Sequence, residues 1–388
     1  MNPVFGFAAA TAAAWLVFAG GASAQDDAPV APVEAAEAQS APAGRALALP
    51  DISFVGNFVG HTGNDARDED RDTLRLEEGE ISLQSPIYPG VQGNVYIVFA
   101  EEEAVVEEGY LSVQNIGNGL SATVGRRKTP FGRVNQLHPH SWLYTVQPAV
   151  LTNLVSGESL TGDGGYLSYL LPVGFFAQLD AGIWSASERP EADEDGAFSD
   201  FAAPGDFDGI YESPGAGFAN KFATLRLWTA TPALGGELEF GGSLARGRAV
   251  DYALDDETTI RPTVQLSALD LSYRRAGVGA SRFLLRGEYV QHRQKTSDLS
   301  QTARGYYVLA DQRFNPQLSL GVRYDWSQFP FAPGVHESSV SLIGTRSLTE
   351  QTYLRAQLIG GNRPGKRNYT EAWFQWVWGM GPHTHTLE

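Results

Sequence analysis

The sequence contains no cysteine. Disulfides staple many small exported domains, so this chain must draw its stability from packing or from a closed, hydrogen-bonded sheet. No apolar run of about 18 residues or more occurs beyond the N-terminus, which excludes a membrane helix. A barrel hides its membrane signal in alternation, so a sheet that crosses a membrane stays open. Basic residues are outnumbered: 28 Lys and Arg stand against 45 Asp and Glu, a formal charge of −17. No basic patch with interleaved aromatics occurs, which argues against a nucleic-acid partner.

What is present begins with a secretory pattern. An apolar run through Ala8–Ala19 leads to Ala-Ser-Ala at 22–24, so residues 1–24 read as a signal peptide cleaved after Ala24. Residues 25–46 are rich in Ala, Pro and acids and predict a disordered linker. The folded part is expected over 47–388.

From Asp51 onward, short alternating runs follow one another. In DISFVGNFVGHT, Ile52, Phe54 and Phe58 share one face, and Ser53, Val55, Asn57, Val59 and His61 share the other. In the stretch after Gly174, Phe175, Ala177, Leu179, Ala181 and Ile183 alternate with Phe176, Gln178, Asp180, Gly182 and Trp184. Sixteen such strands can be placed, with fourteen or eighteen as the bounds. Each is about 9–12 residues, the length a tilted strand needs to cross a bilayer. Connections after even-numbered strands are short turns. Those after odd-numbered strands are usually longer and often acidic. In hydrocarbon every backbone polar group needs an internal partner, so these strands must close on themselves. The fold expected is all-β, a transmembrane antiparallel up-and-down barrel. Tyr88, Tyr96, Trp228, Tyr324, Trp326, Trp373, Trp376 and Trp378 lie near predicted strand ends, as interfacial girdles would.

One stretch breaks the pattern. Lys128–Gly162 (KTPFGRVNQLHPHSWLYTVQPAVLTNLVSGESLTG) has prolines at 130, 139 and 148, two histidines and almost no strand period. A loop of this length inside a compact domain marks either function or a misassigned element.

With its export signal, sixteen hairpin-linked strands and long loop between the fifth and sixth strands, the chain resembles the Gram-negative outer-membrane porins. The run FNPQLSLGVRYDWSQF is similar to strands of the phosphate-selective type. The resemblance implies a bacterial outer-membrane channel for passive diffusion of small hydrophilic solutes or ions. It implies a third outer loop folded into the lumen as the constriction, contact with outer-membrane lipid and lipopolysaccharide, and insertion by the barrel assembly machinery. A homotrimer is a further implication. No cofactor and no catalytic residue follows. The strand AWFQWVWGM, followed by GPHTHTLE, departs from the aromatic last residue usual in that family.

A charge on a barrel strand must face the lumen or cost some ~2–4 kcal/mol at the midplane. Candidate pore-lining and constriction residues are therefore Arg127, Asp180, Arg226, Arg286, Arg323 and Arg355 on strands, with Arg133 and Glu158 on the loop; Glu288 and Asp325 are also inward candidates. An arginine wall facing loop acids would set a transverse field across the pore. His138 and His140 are candidates for a pH-sensitive gate. No cysteine and no closely spaced carboxylate supports them as metal ligands, and no metal is expected. The acidic stretches Asp65–Asp72, Glu101–Glu108 and Glu191–Asp208 are candidates for cation contacts at the mouth. Two other readings are a structural or adhesive barrel without a channel and an outer-membrane hydrolase. For the second, Ser141 beside His140 is a weak signal, because neighbours in sequence rarely make a catalytic pair.

Overall fold

Period-two alternation sends successive side chains to opposite faces of a strand. Sixteen such segments join edge to edge here. The computed structural model describes residues 50–382, apart from 69–70, 101–102, 157–158, 187–217, 250–251, 254–258, 261, 296–299, 331 and 333. The expected signal and linker, and the stretch Glu191–Asp208, lie outside the described residues.

The strands are β1 (Asp51–Gly63), β2 (Thr73–Tyr88), β3 (Val91–Ala100), β4 (Glu103–Gly117), β5 (Leu120–Lys128), β6 (Thr161–Leu170), β7 (Phe176–Ala186), β8 (Phe218–Ala233) and β9 (Gly236–Ala249). A two-stranded hairpin follows outside the barrel, β10 (Tyr252–Ala253) and β11 (Thr259–Ile260). The barrel resumes with β12 (Thr263–Ala276), β13 (Arg282–Lys295), β14 (Ser300–Asn315), β15 (Leu318–Gln328), β16 (His336–Ser347), β17 (Tyr353–Arg363) and β18 (Lys366–Met380). Each barrel strand pairs antiparallel with its neighbours, and β18 closes on β1. This is the sixteen-stranded up-and-down barrel that the alternation predicts. Among the described residues no helix is long and apolar enough to cross a membrane.

The outward faces carry exposed Leu225 and Leu227 on β8, Leu269 and Leu271 on β12, and Val340 and Leu342 on β16. So wide an apolar surface suits lipid, not water. Tyr88, Tyr324 and Trp376 are exposed at this surface. Tyr96 is not: it is buried facing the lumen, where Gln84 donates to its hydroxyl. Trp373 stacks on His61 at 3.8 Å.

Two expected loops are shorter than the sequence suggests. β4 begins at Glu103, so most of Glu101–Glu108 is strand. β17 and β18 are joined by a tight turn at Pro364–Gly365, with Gly365 at φ 70°. Acidic and basic residues at these positions extend the ladder beyond the apolar belt.

Bulges set the parity of two strands. Asn57 pairs with Glu78 while Phe58 pairs with Leu76, leaving Glu77 as an extra residue. Tyr96 pairs with Glu108 while Ile97 pairs with Val106, leaving Glu107 as another. An extra residue re-aims the side chains around it.

Candidate functional site

The loop between β5 and β6 crosses the lumen and bonds to the wall on several sides. It holds two 3-10 turns, Val134–Gln136 and Pro139–Ser141, and one short helix, α1 (Ala149–Leu154). Pro148 precedes α1, where proline suits a helix start. The apolar face of α1, with Val150, Leu151 and Leu154, sits against β13, β14 and β15. It joins Phe131, Trp142 and Tyr144 of the loop in one buried cluster with inward residues of β8, β9, β12, β13 and β14, including Phe222, Val264, Leu266 and Val290.

Polar wall groups hold the loop backbone. Glu288 accepts the Arg133 and Val134 N–H groups, both at 3.0 Å, and the Tyr307 hydroxyl at 3.1 Å. Gly132 has φ 62°, and a Cβ there would collide with the Glu288 carboxylate. The Gly132 N–H donates to Ser243 at 3.0 Å. Gln357 accepts the Thr145 and Val146 N–H groups. Arg323 donates to the Val146 carbonyl (2.6 Å) and lies over the Tyr144 ring. Arg355 donates to the Tyr144 carbonyl (3.1 Å) and to Gln375 (2.8 Å). Asn153 donates to Glu337 at 2.6 Å.

On another side, β2, β4 and β5 meet the loop with charge. His138 lies 2.7 Å from Glu80, 3.0 Å from Glu107 and 3.0 Å from Glu108. Lys128 pairs with Glu107 at 2.7 Å, and its N–H donates to Glu108 at 2.8 Å. His140 lies 3.4 Å from Glu78, and the Tyr353 hydroxyl donates to the His140 carbonyl. Burial and the Lys128 ammonium push the His138 imidazole down. The carboxylates of Glu107 and Glu80 outweigh both and hold it well above its ordinary value.

The sequence-derived candidates distribute as follows. Arg127 faces the lumen and lies over Tyr110. Asp180 is buried and accepts from Ser168 and Gln178. Arg226 forms a two-point pair with Asp270, at 2.6 and 2.9 Å, and reaches Ser243. Gly241 makes room for that pair, since a Cβ there would lie 2.7 Å from Asp270 and 2.8 Å from Arg226. Arg286 is buried beside Ser272. Arg323 pairs with Asp325 at 2.7 Å. Arg133 pairs with Glu239 at 3.4 Å. Glu158 lies outside the described residues. Among the described residues, 129–160 contain no carboxylate. The strand arginines therefore meet wall acids and loop carbonyls, and the acids facing the loop stand on β2 and β4. Sequence reasoning missed Glu80, Asp270 and Gln357, and placed Glu108 at the mouth with the stretch Glu101–Glu108; the roles of all four depend on strand pairing.

At the mouth, Asp65 is buried in ion pairs with Arg67 (2.8 Å) and Arg363 (3.0 Å). Hydrogen bonds from Arg67 hold its carboxyl well below the usual range. Beneath the loop, toward the short turns, lies a cavity of ≈ 370 Å³. Loop residues His140–Leu143 roof it, and Arg282, Asp311, Arg313 and Arg355 are among its walls.

Solved structures share the closed sixteen-stranded barrel. The anion-selective porin from Comamonas acidovorans matches with a TM-score of 0.55 at 13% identity, over 85% of this chain and 98% of that one. Salmonella typhi OmpF, in complex with daunomycin, matches at 0.52 and 10%, over 85% and 97%. The trimer form of Vibrio cholerae OmpT, an outer membrane protein, matches at 0.55 and 11%, over 86% and 100%. The fold is that of the outer-membrane porins. No family model matches the chain. An uncharacterized protein of Aquifex aeolicus is 25% identical over 290 residues, covering 71% of this chain and 60% of its own length.

Proposed function

We propose that the chain is an outer-membrane diffusion channel for small hydrophilic solutes or ions, with Lys128–Gly162 as its constriction. The observation that carries this reading is the loop itself, laid across the lumen of a closed barrel and bonded to β2, β4, β9, β13, β15 and β17. The polar cavity beneath it, with arginines and two acids in its wall, suits hydrated solutes. Chemistry is not part of the proposal. The Ser141 hydroxyl makes no hydrogen bond, so it has no base to activate it. Export by a signal cleaved after Ala24, insertion by the barrel assembly machinery, contact with lipopolysaccharide and a homotrimeric state complete the proposal. The trimer form of the Vibrio cholerae neighbour supports the last of these.

Single-channel recording in planar bilayers tests it. Discrete conductance steps are expected, and deletion of Gln136–Ser156 raises the step and weakens selectivity. A folded protein with no conductance overturns the channel reading in favour of an adhesive or structural barrel.

A further inference from the structure

The carboxylates around His138 are arranged differently from an ordinary ion-pair network. Glu80 is 1% exposed, and apart from the His138 ring no group donates to either of its carboxylate oxygens. The same holds for Glu107 Oε2. Yet Glu80 Oε2 and Glu107 Oε2 approach the same atom, His138 Nδ1, at 2.7 and 3.0 Å. One ligand atom from each of Glu80, Glu107 and His138 lies within 4.8 Å of the other two. Ligands about 2.0 Å from a tetrahedral ion sit about 3.3 Å apart, so the spacing is close to that of a coordination shell.

The surrounding groups fit the same reading. The other ring nitrogen, His138 Nε2, is 3.0 Å from a Glu108 oxygen in hydrogen-bond geometry. A carboxylate behind the far nitrogen fixes the tautomer and aims the near nitrogen's lone pair at a metal. The second oxygen of Glu107 is held by Lys128 at 2.7 Å. Glu108 is held in turn by the Lys128 N–H. Four carboxylates (Glu78, Glu80, Glu107 and Glu108) meet two fixed cations, Lys128 and Arg127. With the His138 and His140 imidazoles neutral, two negative charges remain, and burying them unmatched is costly. One dication balances them.

We propose that Glu80, Glu107 and His138 form a binding site for a zinc-class divalent cation that ties the lumen loop to the β2–β4 wall. Two oxygens and one imidazole nitrogen leave a fourth position for water, and the nitrogen ligand disfavours calcium and magnesium, which take oxygen. The bulge at Glu107 is what makes the site, because it turns Glu107 as well as Glu108 toward the loop.

The full chain, folded in detergent and stripped with chelator, is titrated with Zn²⁺ by calorimetry and with Co²⁺ by absorption. One ion per chain is expected, with the visible absorption of tetrahedral cobalt. Glu80→Gln weakens binding by roughly tenfold or more, and Ca²⁺ does not compete. Nitrogen NMR of the wild-type imidazoles needs no variant: zinc shifts the His138 Nδ1 signal. Three results overturn the site. One is no saturable zinc binding, with His138 and His140 both imidazolium at neutral pH, so that protons supply the two charges. The second is undiminished binding in a folded Glu80→Gln protein. The third is Ca²⁺ binding as tight as that of Zn²⁺.

Discussion

Along β12 the barrel wall has two characters. At the loop end Val264, Leu266 and Ala268 face inward and are buried, with Gln265 and Ser267 on the other face. Toward the turn end, the same inward row continues as Asp270 and Ser272, and Leu269 and Leu271 face out. β13 follows in part: Val290 is inside and Gln291 and Arg293 outside at the loop end, where His292 and Gln294 are also buried inside, and Arg286 and Glu288 lie inside lower down. On β9 the outward residues Arg246 and Arg248 flank the inward Ala245 and Ala249. On this wall the loop end thus packs like a water-soluble protein, largely dry inside and polar outside, whereas on β2 and β4 the inward residues facing the loop are Glu78, Glu80 and Glu108. The turn end has the reverse pattern of a lipid-facing barrel. What separates them is the loop, whose apolar residues pack against the loop-end half of this wall.

Four substitutions break or sharpen this contrast. Arg226→Ala strands Asp270 in the wall, and an uncompensated buried charge costs about 3–5 kcal/mol; a large fall in the thermal midpoint of the folded barrel checks it. Leu266→Ala opens a cavity under the loop at a cost of about 2–5 kcal/mol. Its distinctive sign is faster proteolysis within Gln136–Ser156 while the barrel stays folded. Leu227→Arg places a charge on the lipid face of the turn-end half and costs about 2–4 kcal/mol if near midplane, read from denaturant unfolding in lipid. Arg246→Leu, outward at the loop end, stays within about 0.5 kcal/mol by the same assay. If Leu227→Arg were as mild as Arg246→Leu, the two-zone description would fail.

The barrel was legible because period two survives along nearly every strand. All sixteen barrel strands can be placed from alternation, with ends extending a few residues beyond the prediction at β2, β4 and β14. Face character was harder to read. Val264, Leu266, Ala268, Asp270 and Ser272 share one parity, and alternation cannot say that the row passes from dry to wet halfway along. The bulges at Glu77 and Glu107 shift parity without a signal in composition. For His138, no carboxylate lies nearby in sequence; Glu80, Glu107 and Glu108 arrive from β2 and β4 through pairing. The inward arginines were legible because a charge on a spanning strand has one tolerable face, but their partners were not. Gln357 and Glu288 look like ordinary lumen residues until the loop's N–H groups are found on them.

The seam between β1 and β18 has a consequence for how the molecule is made. Asn57 and Gln375 share a hydrogen bond across it although 318 residues apart in sequence. Every other barrel junction joins consecutive strands of the wall. Hairpins can therefore form locally and early, whereas the seam waits for the whole chain. Until it closes, two strand edges stand open to other chains. Once closed, no strand can leave without breaking ladders on both its sides, so the barrel's lifetime is governed by a slow, concerted opening and not by the sum of its contacts.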